Sequence, residues 1–272
     1  MHMVDFSYAG RRLSDYGCTV ASIVTSNDDS VSLGSNIIFE TLKNSSTFVN
    51  RIVKVDYEDP THVTFDICKI PFNGTSVFND DEVSFIMQWL NKKKYEIFRP
   101  VYDDGSYANT YFKGSFNVTA IYIGGEVVGF TLTFTANSPF GYEDEQNFTV
   151  DIDNDDYDTF TFFNNSDEYG YFYPTKFVIT CKSDGDFIMS NNIDINIVRI
   201  NNCTNGETIT LDCCNKIIQS DKTHTTLYND FNYNYPRFVS NEESNENILT
   251  VSLPCQIQIA YSFVRKVGII VW

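Results

Sequence analysis

The chain has no run of eighteen apolar residues, so no segment has the length that a membrane-spanning helix needs, and membrane insertion is not expected. It is poor in basic side chains: 19 lysines and arginines stand against 36 aspartates and glutamates, for a formal charge of −17. Nucleic-acid binding needs cations to displace counterions, and an anionic bilayer attracts the same groups, so neither partner fits. Histidine is rarer still, with His2, His62 and His224 alone. None has a second histidine or a cysteine at ligand spacing, so no zinc site is expected. Gly-x-Ser-x-Gly, His-Glu-x-x-His and P-loop motifs are missing, and no catalytic residue or cofactor is expected.

Other partial motifs fail on inspection. Residues 151–156, "DIDNDD", begin like a calcium loop, but Asp156 and Phe162 stand where an EF-hand has glycine and glutamate. A solvated acidic loop is the expectation there, and no metal. Gly124, Gly125 and Gly129 fall between two strand-like runs rather than before a helix, which excludes a dinucleotide loop. Acidic residues are so common that paired carboxylates carry no weight as a glycosidase signal. The seven cysteines include no Cys-x-x-Cys and no signal peptide precedes Asp5, so small buried thiols of a protein made in a reducing cytosol are expected. Met1-His2-Met3 has the look of a cloning remnant and is set aside.

What is present is aromatic and strand-forming. Alanine and leucine are scarce, and residues 130–136 alternate Phe130, Leu132, Phe134 and Ala136 with threonines, the period of a half-buried strand. Asn137-Ser138-Pro139 then stops the run near the midpoint of 272 residues. Two domains are expected, 1–140 and 141–272. Residues 1–140 carry 11 basic and 16 acidic side chains, residues 141–272 carry 8 and 20.

Within the first half, a strand, a turn at Ala9-Gly10 and a second strand after Gly17 open the chain. Arg51–Tyr57 and His62–Ile70 read as hairpin arms joined by Glu58-Asp59-Pro60. Gly124-Gly125 is the strongest hairpin signal. One amphipathic helix is expected over about 80–94, capped by Asn79 or Asp80, with Val83, Ile86, Met87 and Leu90 as its stripe and Phe85 and Trp89 widening it. The second half is a series of short strands at Thr175–Cys181, Ile193–Ile200, Glu207–Asp212, Lys216–Gln219, Ile248–Leu253 and Ile257–Phe263, which suggests a sandwich or jelly roll.

Four stretches, in this order, resemble the distal tail proteins of long-tailed, non-contractile bacteriophages of Gram-positive hosts. They are "FSYAGRRLSDYGCTVASI", "DEVSFIMQWLNKKKYEIFRPVYDD", "GGEVVGFTLTFTANSPFGY", and "NGETITLDCCNKIIQSD" with "NILTVSLPCQIQIAYSFVRKVGI". The Cys213-Cys214 doublet departs from the pattern, where a glycine-containing turn is expected. The resemblance implies a mainly β fold: an N-terminal β-sandwich with one helix and an extended hairpin, and a C-terminal galectin-like or jelly-roll sandwich.

It also implies a structural, non-enzymatic hub, a homo-hexameric ring at the virion's tail tip or baseplate, assembled in the host cytoplasm. Its partners would be the tail tube protein, the tape-measure protein, the tail-associated fibre or lysin protein and receptor-binding proteins. DNA would pass through the ring without being bound. Asp28, Asp29, Asp103 and Asp104, in expected loops, are candidates to line that channel. The alternative is a carbohydrate-binding, lectin-like module, for which Tyr228, Tyr233 and Tyr235 offer aromatic surface.

Overall fold

The computed structural model describes residues 2–21, 36–43, 49–57, 60–70, 74–153, 157–222 and 224–271. The chain divides into two compact units, 1–143 with 265–272, and 144–264.

The first unit contains β1 (Met3–Tyr8), β2 (Arg11–Arg12), β3 (Cys18–Ala21), β4 (Ile37–Lys43), β5 (Asn50–Tyr57) and β6 (His62–Lys69). The helix α1 (Asp80–Leu90) follows, then β7 (Glu96–Tyr102), β8 (Thr110–Ile123), β9 (Glu126–Ala136) and β10 (Gly141–Glu143). The main sheet runs β2-β1-β7-β8-β9-β6-β3. Its far ends meet, because Thr19 of β3 donates its hydroxyl to Val4 O of β1 at 3.3 Å. Met3 is buried at the start of β1, so it is part of the fold.

Alternation explains what the curled sheet encloses. Phe130, Leu132, Phe134 and Ala136 point inward from β9, while Thr131, Thr133 and Thr135 face away. With Phe6, Phe65, Phe98 and Phe116 they form an aromatic core, in which Phe98 and Phe134 rings lie 4.5 Å apart and Phe116 and Phe134 5.0 Å. Gly114 is required by that packing, since a Cβ there would sit 2.5 Å from the Phe134 ring and 2.3 Å from Thr135 O.

The helix begins where expected. The Asn79 side chain accepts from Glu82 N at 2.9 Å and the Glu82 carboxylate accepts from Asn79 N at 2.8 Å, a reciprocal cap. Its stripe buries Ile86, Trp89 and Leu90, and Trp89 Nε1 donates to Tyr8 O at 2.8 Å. The helix ends at Leu90, so Lys92, Lys93 and Lys94 lie just beyond it. The β8–β9 turn is Gly124-Gly125, whose φ angles of +63° and +90° only glycine adopts without strain.

One expected pairing is corrected. β5 does not pair with β6; β6 lies between β9 and β3, while β5 pairs with β4 in a separate two-stranded ribbon. β6 buries Phe65 and Ile67 in the core, and its partner is the strand whose inward residues match that face. The expected turn is Glu58-Asp59-Pro60, of which Glu58 and Asp59 lie outside the described residues.

The second unit contains β11 (Gln146–Ile152), β12 (Asp158–Phe163), β13 (Gly170–Phe172), β14 (Lys176–Cys181), β15 (Gly185–Asn191) and β16 (Asp194–Cys203). After them come β17 (Thr208–Asp212), β18 (Ile217–Ser220), the single turn α2 (Leu227–Asp230), β19 (Phe238–Ser240), β20 (Glu246–Val251) and β21 (Cys255–Tyr261). One sheet is β11-β21-β14-β17-β18 and the other β12-β20-β15-β16. They share one core, to which the first sheet gives Phe177, Ile179, Leu211 and Ile257 and the second gives Phe160, Phe187, Val198 and Leu249. This is a β-sandwich. The chain as a whole is mainly β, as expected.

Residues 269–271 pack with the first unit, where Ile269 and Val271 are buried in the aromatic core and Met3 N donates to Val271 O at 3.3 Å. The β17–β18 turn shows how the cysteine doublet is accommodated. Cys213 is buried, Asp212 accepts from Asn215 N at 2.8 Å, and Lys216 takes the left-handed conformation, at φ +58°, that a glycine would otherwise supply.

Candidate assembly surface

The β4–β5 ribbon is built from "IIFETLK" and "NRIVKVDY". Its register pairs Ile37 with Tyr57, Phe39 with Val55 and Glu40 with Lys54, then shifts by a bulge before Thr41 pairs with Ile52. Alternation places Ile37, Phe39, Ile52, Val55 and Tyr57 on one face. The opposite face mixes Glu40, Arg51, Lys54 and Asp56 with Ile38 and Leu42, and Lys54 Nζ lies 2.6 Å from the Asp56 carboxylate. One face is thus mostly apolar, yet among the described residues it covers no core: Phe39 is 54% exposed, Ile52 60% and Val55 53%. At its base the Tyr57 ring meets Phe140 edge-on at 4.9 Å.

A two-stranded ribbon with an open apolar face is marginal in water by itself. Such a face, beside strand edges that pair with no other strand among the described residues, is a surface made to be covered. The tip of the β8–β9 hairpin adds a second exposed apolar pair, Tyr122 and Ile123. β5 was legible as a strand, yet nothing local in the sequence pointed to β4 as its partner or to an uncovered face.

Of the four acidic candidates, Asp28 and Asp29 lie outside the described residues. Asp103 and Asp104 are exposed together in the turn after β7. A backbone hydrogen bond from His2 N, at 2.9 Å, holds the Asp103 carboxyl below its ordinary pKa; the Ser106 side chain, and then its backbone N–H at 2.9 Å, do the same for Asp104. Both stay ionised. In the acidic "DIDNDD" stretch, Asp151 and Asp153 pair with Lys182 at 2.9 and 2.6 Å, and residues 154–156 lie outside the described residues.

His224, which the sequence showed only as a histidine without neighbours, sits between two carboxylates in the second unit. Its Nδ1 is 2.8 Å from Glu207 and its Nε2 3.2 Å from Asp230. Glu207 is 1% exposed and also accepts from Ser220 Oγ at 2.6 Å and Thr204 N at 2.9 Å. Burial alone would lower the imidazole pKa, but the bonds to Glu207 and Asp230 outweigh it and hold it above its ordinary value. Burial would raise Glu207, and the bonds from Ser220, Thr204 and His224 together hold it below its ordinary value.

Two β-rich units, rigid aromatic and aliphatic cores and a protruding ribbon with an open apolar face define a protein built for assembly. Residues 1–138 match the model of a phage tail protein N-terminal domain, and residues 140–261 match that of a phage tail C-terminal domain. The chain belongs to this family of phage tail proteins and is a component of a virion tail. The fold is also that of a crystal structure described as SPP1 Dit (gp 19.1) protein, "a Paradigm of Hub Adsorption Apparatus in Gram-positive Infecting Phages", with a TM-score of 0.65. That match has 12% sequence identity and covers 96% of this chain and 99% of the other. No curated protein sequence matches. The resemblance to distal tail proteins read from the sequence thus holds in the fold, and the family is one of phage tail proteins.

Proposed function

We propose that this chain is the structural hub at the distal end of the tail, a ring of six copies joining the tail tube and the tape-measure protein to the fibre or lysin and receptor-binding proteins below. The observation that carries this reading is the open apolar face of the β4–β5 ribbon, at Ile37, Phe39, Ile52 and Val55. A closed ring needs one heterologous contact repeated around an axis, and a protruding ribbon that reaches a neighbouring copy supplies one. The first unit would close the ring and the second, a galectin-like sandwich, would face outward. The chain works by position and shape rather than by catalysis.

The charge fits the same reading. DNA that must slide through a ring is helped by walls that repel phosphate, and Asp103 and Asp104, with Asp28 and Asp29, are assigned to that channel. Assembly would take place in the host cytoplasm, ahead of attachment to a host.

The test is tail assembly with Phe39→Asp and Val55→Asp together. Negative-stain microscopy of tails made with this variant should show tubes without a distal ring. Tails with an intact ring would remove the ribbon from the interface.

A further inference from the structure

In the second unit, the β17–β18 turn and the segment before β19 enclose an open cavity of about 350 Å³, with Tyr173, Asn196, Lys216, Tyr233, Tyr235 and Arg237 among its walls. Lys216 Nζ lies 3.6 Å from the centroid of the Tyr173 ring and 4.9 Å from that of Tyr235. Among the described residues no carboxylate is within ion-pair distance of Lys216. Arg237 differs: its guanidinium is held in a two-point pair with Asp194, at 2.7 and 2.9 Å, and lies over the Tyr171 ring at 3.9 Å. The cavity thus offers one uncompensated cation in a protein of charge −17.

Tyr233 is 60% exposed, yet its ring is fixed, because its hydroxyl donates to Tyr228 O at 2.9 Å. Asn196 and Asn234 are likewise fixed on backbone carbonyls, at 3.0 Å to Tyr235 O and 2.9 Å to Ile197 O. Two wall residues, Lys216 at φ +58° and Tyr233 at +61°, hold a left-handed backbone that side-chain-bearing residues rarely adopt. A pre-ordered aromatic plate, amide groups and a cation in a shallow cleft are the parts of a ligand site.

The ligand class follows by elimination. A bare anion has no use for the tyrosine faces, and a neutral sugar, whose hydroxyls can accept from the ammonium, leaves its charge unmatched. A nucleic-acid strand needs several cations along its backbone, and only one is uncompensated here. We propose that this cavity binds an anionic saccharide, a sugar phosphate or a uronic acid, with Lys216 taking the charged group and Tyr233 the apolar face of the ring. The site is independent of ring formation.

The test is calorimetric titration of the full chain with glucose 6-phosphate, glucuronate, glucose and inorganic phosphate, repeated on Lys216→Gly and Tyr233→Ala. Lys216→Gly removes the ammonium while suiting the left-handed turn, so the fold is kept. The expected result is binding of at least one anionic sugar about tenfold tighter than glucose and phosphate, lost in Lys216→Gly and weakened in Tyr233→Ala. A preference for the phosphate or the carboxylate form identifies which of the two the site takes. Equal binding of phosphate and glucose 6-phosphate, unchanged binding by Lys216→Gly, or no binding of any probe at millimolar concentration would each overturn the proposal.

Discussion

Replacing His224 by Gln probes the most buried charge arrangement of the second unit. The native imidazole joins Glu207 at 2.8 Å and Asp230 at 3.2 Å, with His224 6% and Glu207 1% exposed. A hydrogen bond to a charged group is worth about 1.5–3 kcal/mol, and the bond to the buried Glu207 is the one that counts here. Glu207 keeps Ser220 and Thr204, so the loss stays below what a wholly orphaned buried charge costs. We expect a destabilisation of about 1.5–3 kcal/mol near neutral pH. Urea titration followed by far-ultraviolet circular dichroism measures it. Trp89 is buried in the core of the first unit, so its fluorescence gives an internal reference that the substitution leaves in place.

The sign of the pH dependence is fixed by the direction of each shift. A histidine whose folded pKa is raised contributes stability that is complete below its ordinary pKa and is lost as pH rises through the raised value. Glu207, held low, contributes stability that is present above its ordinary pKa and is lost as pH falls through the lowered one. The gap between native and variant should therefore be widest from mildly acidic to neutral pH and narrow on the alkaline side. A gap below about 1 kcal/mol, or one that stays constant from about pH 6 to about pH 9, would refute the reasoning.

Gly114→Ala should cost the first unit about 3 kcal/mol or more, because the methyl meets the Phe134 ring and Thr135 O, and thermal unfolding followed by fluorescence reads it. Asn79→Ala breaks the reciprocal cap of α1 and should cost about 1 kcal/mol in the same assay. Phe39→Asp should leave the melting temperature of both units within a few degrees of native, since the ribbon lies outside both cores, while reducing self-association in light scattering.

Much of the fold was legible because its signals are short-range. The threonine–phenylalanine alternation of β9, the Gly124-Gly125 turn, the Asn79 cap and the stripe of α1 each depend on residues a few positions apart. Local backbone sterics and side-chain periodicity act at that distance, whatever the rest of the chain does. The distribution of charge was equally plain, and so was the scarcity of histidine.

Pairing between distant segments was not legible. β5 shows a strand pattern that suits either neighbour, and the partner was settled by which strand, β9, could bury the Phe65 face of β6. His224 meets Glu207 across 17 positions, and Lys216 covers a tyrosine 43 positions away. The sequence by itself determined the strand-rich class, the single long helix and its cap, the main hairpin and the acidic surface. Tertiary structure alone decided that the β4–β5 ribbon leaves an apolar face open, that His224 is held between two carboxylates, and that one lysine lies uncompensated over tyrosines. Those features arise when segments far apart in the chain are brought together by burial of the two cores, and no local pattern encodes the distance between them.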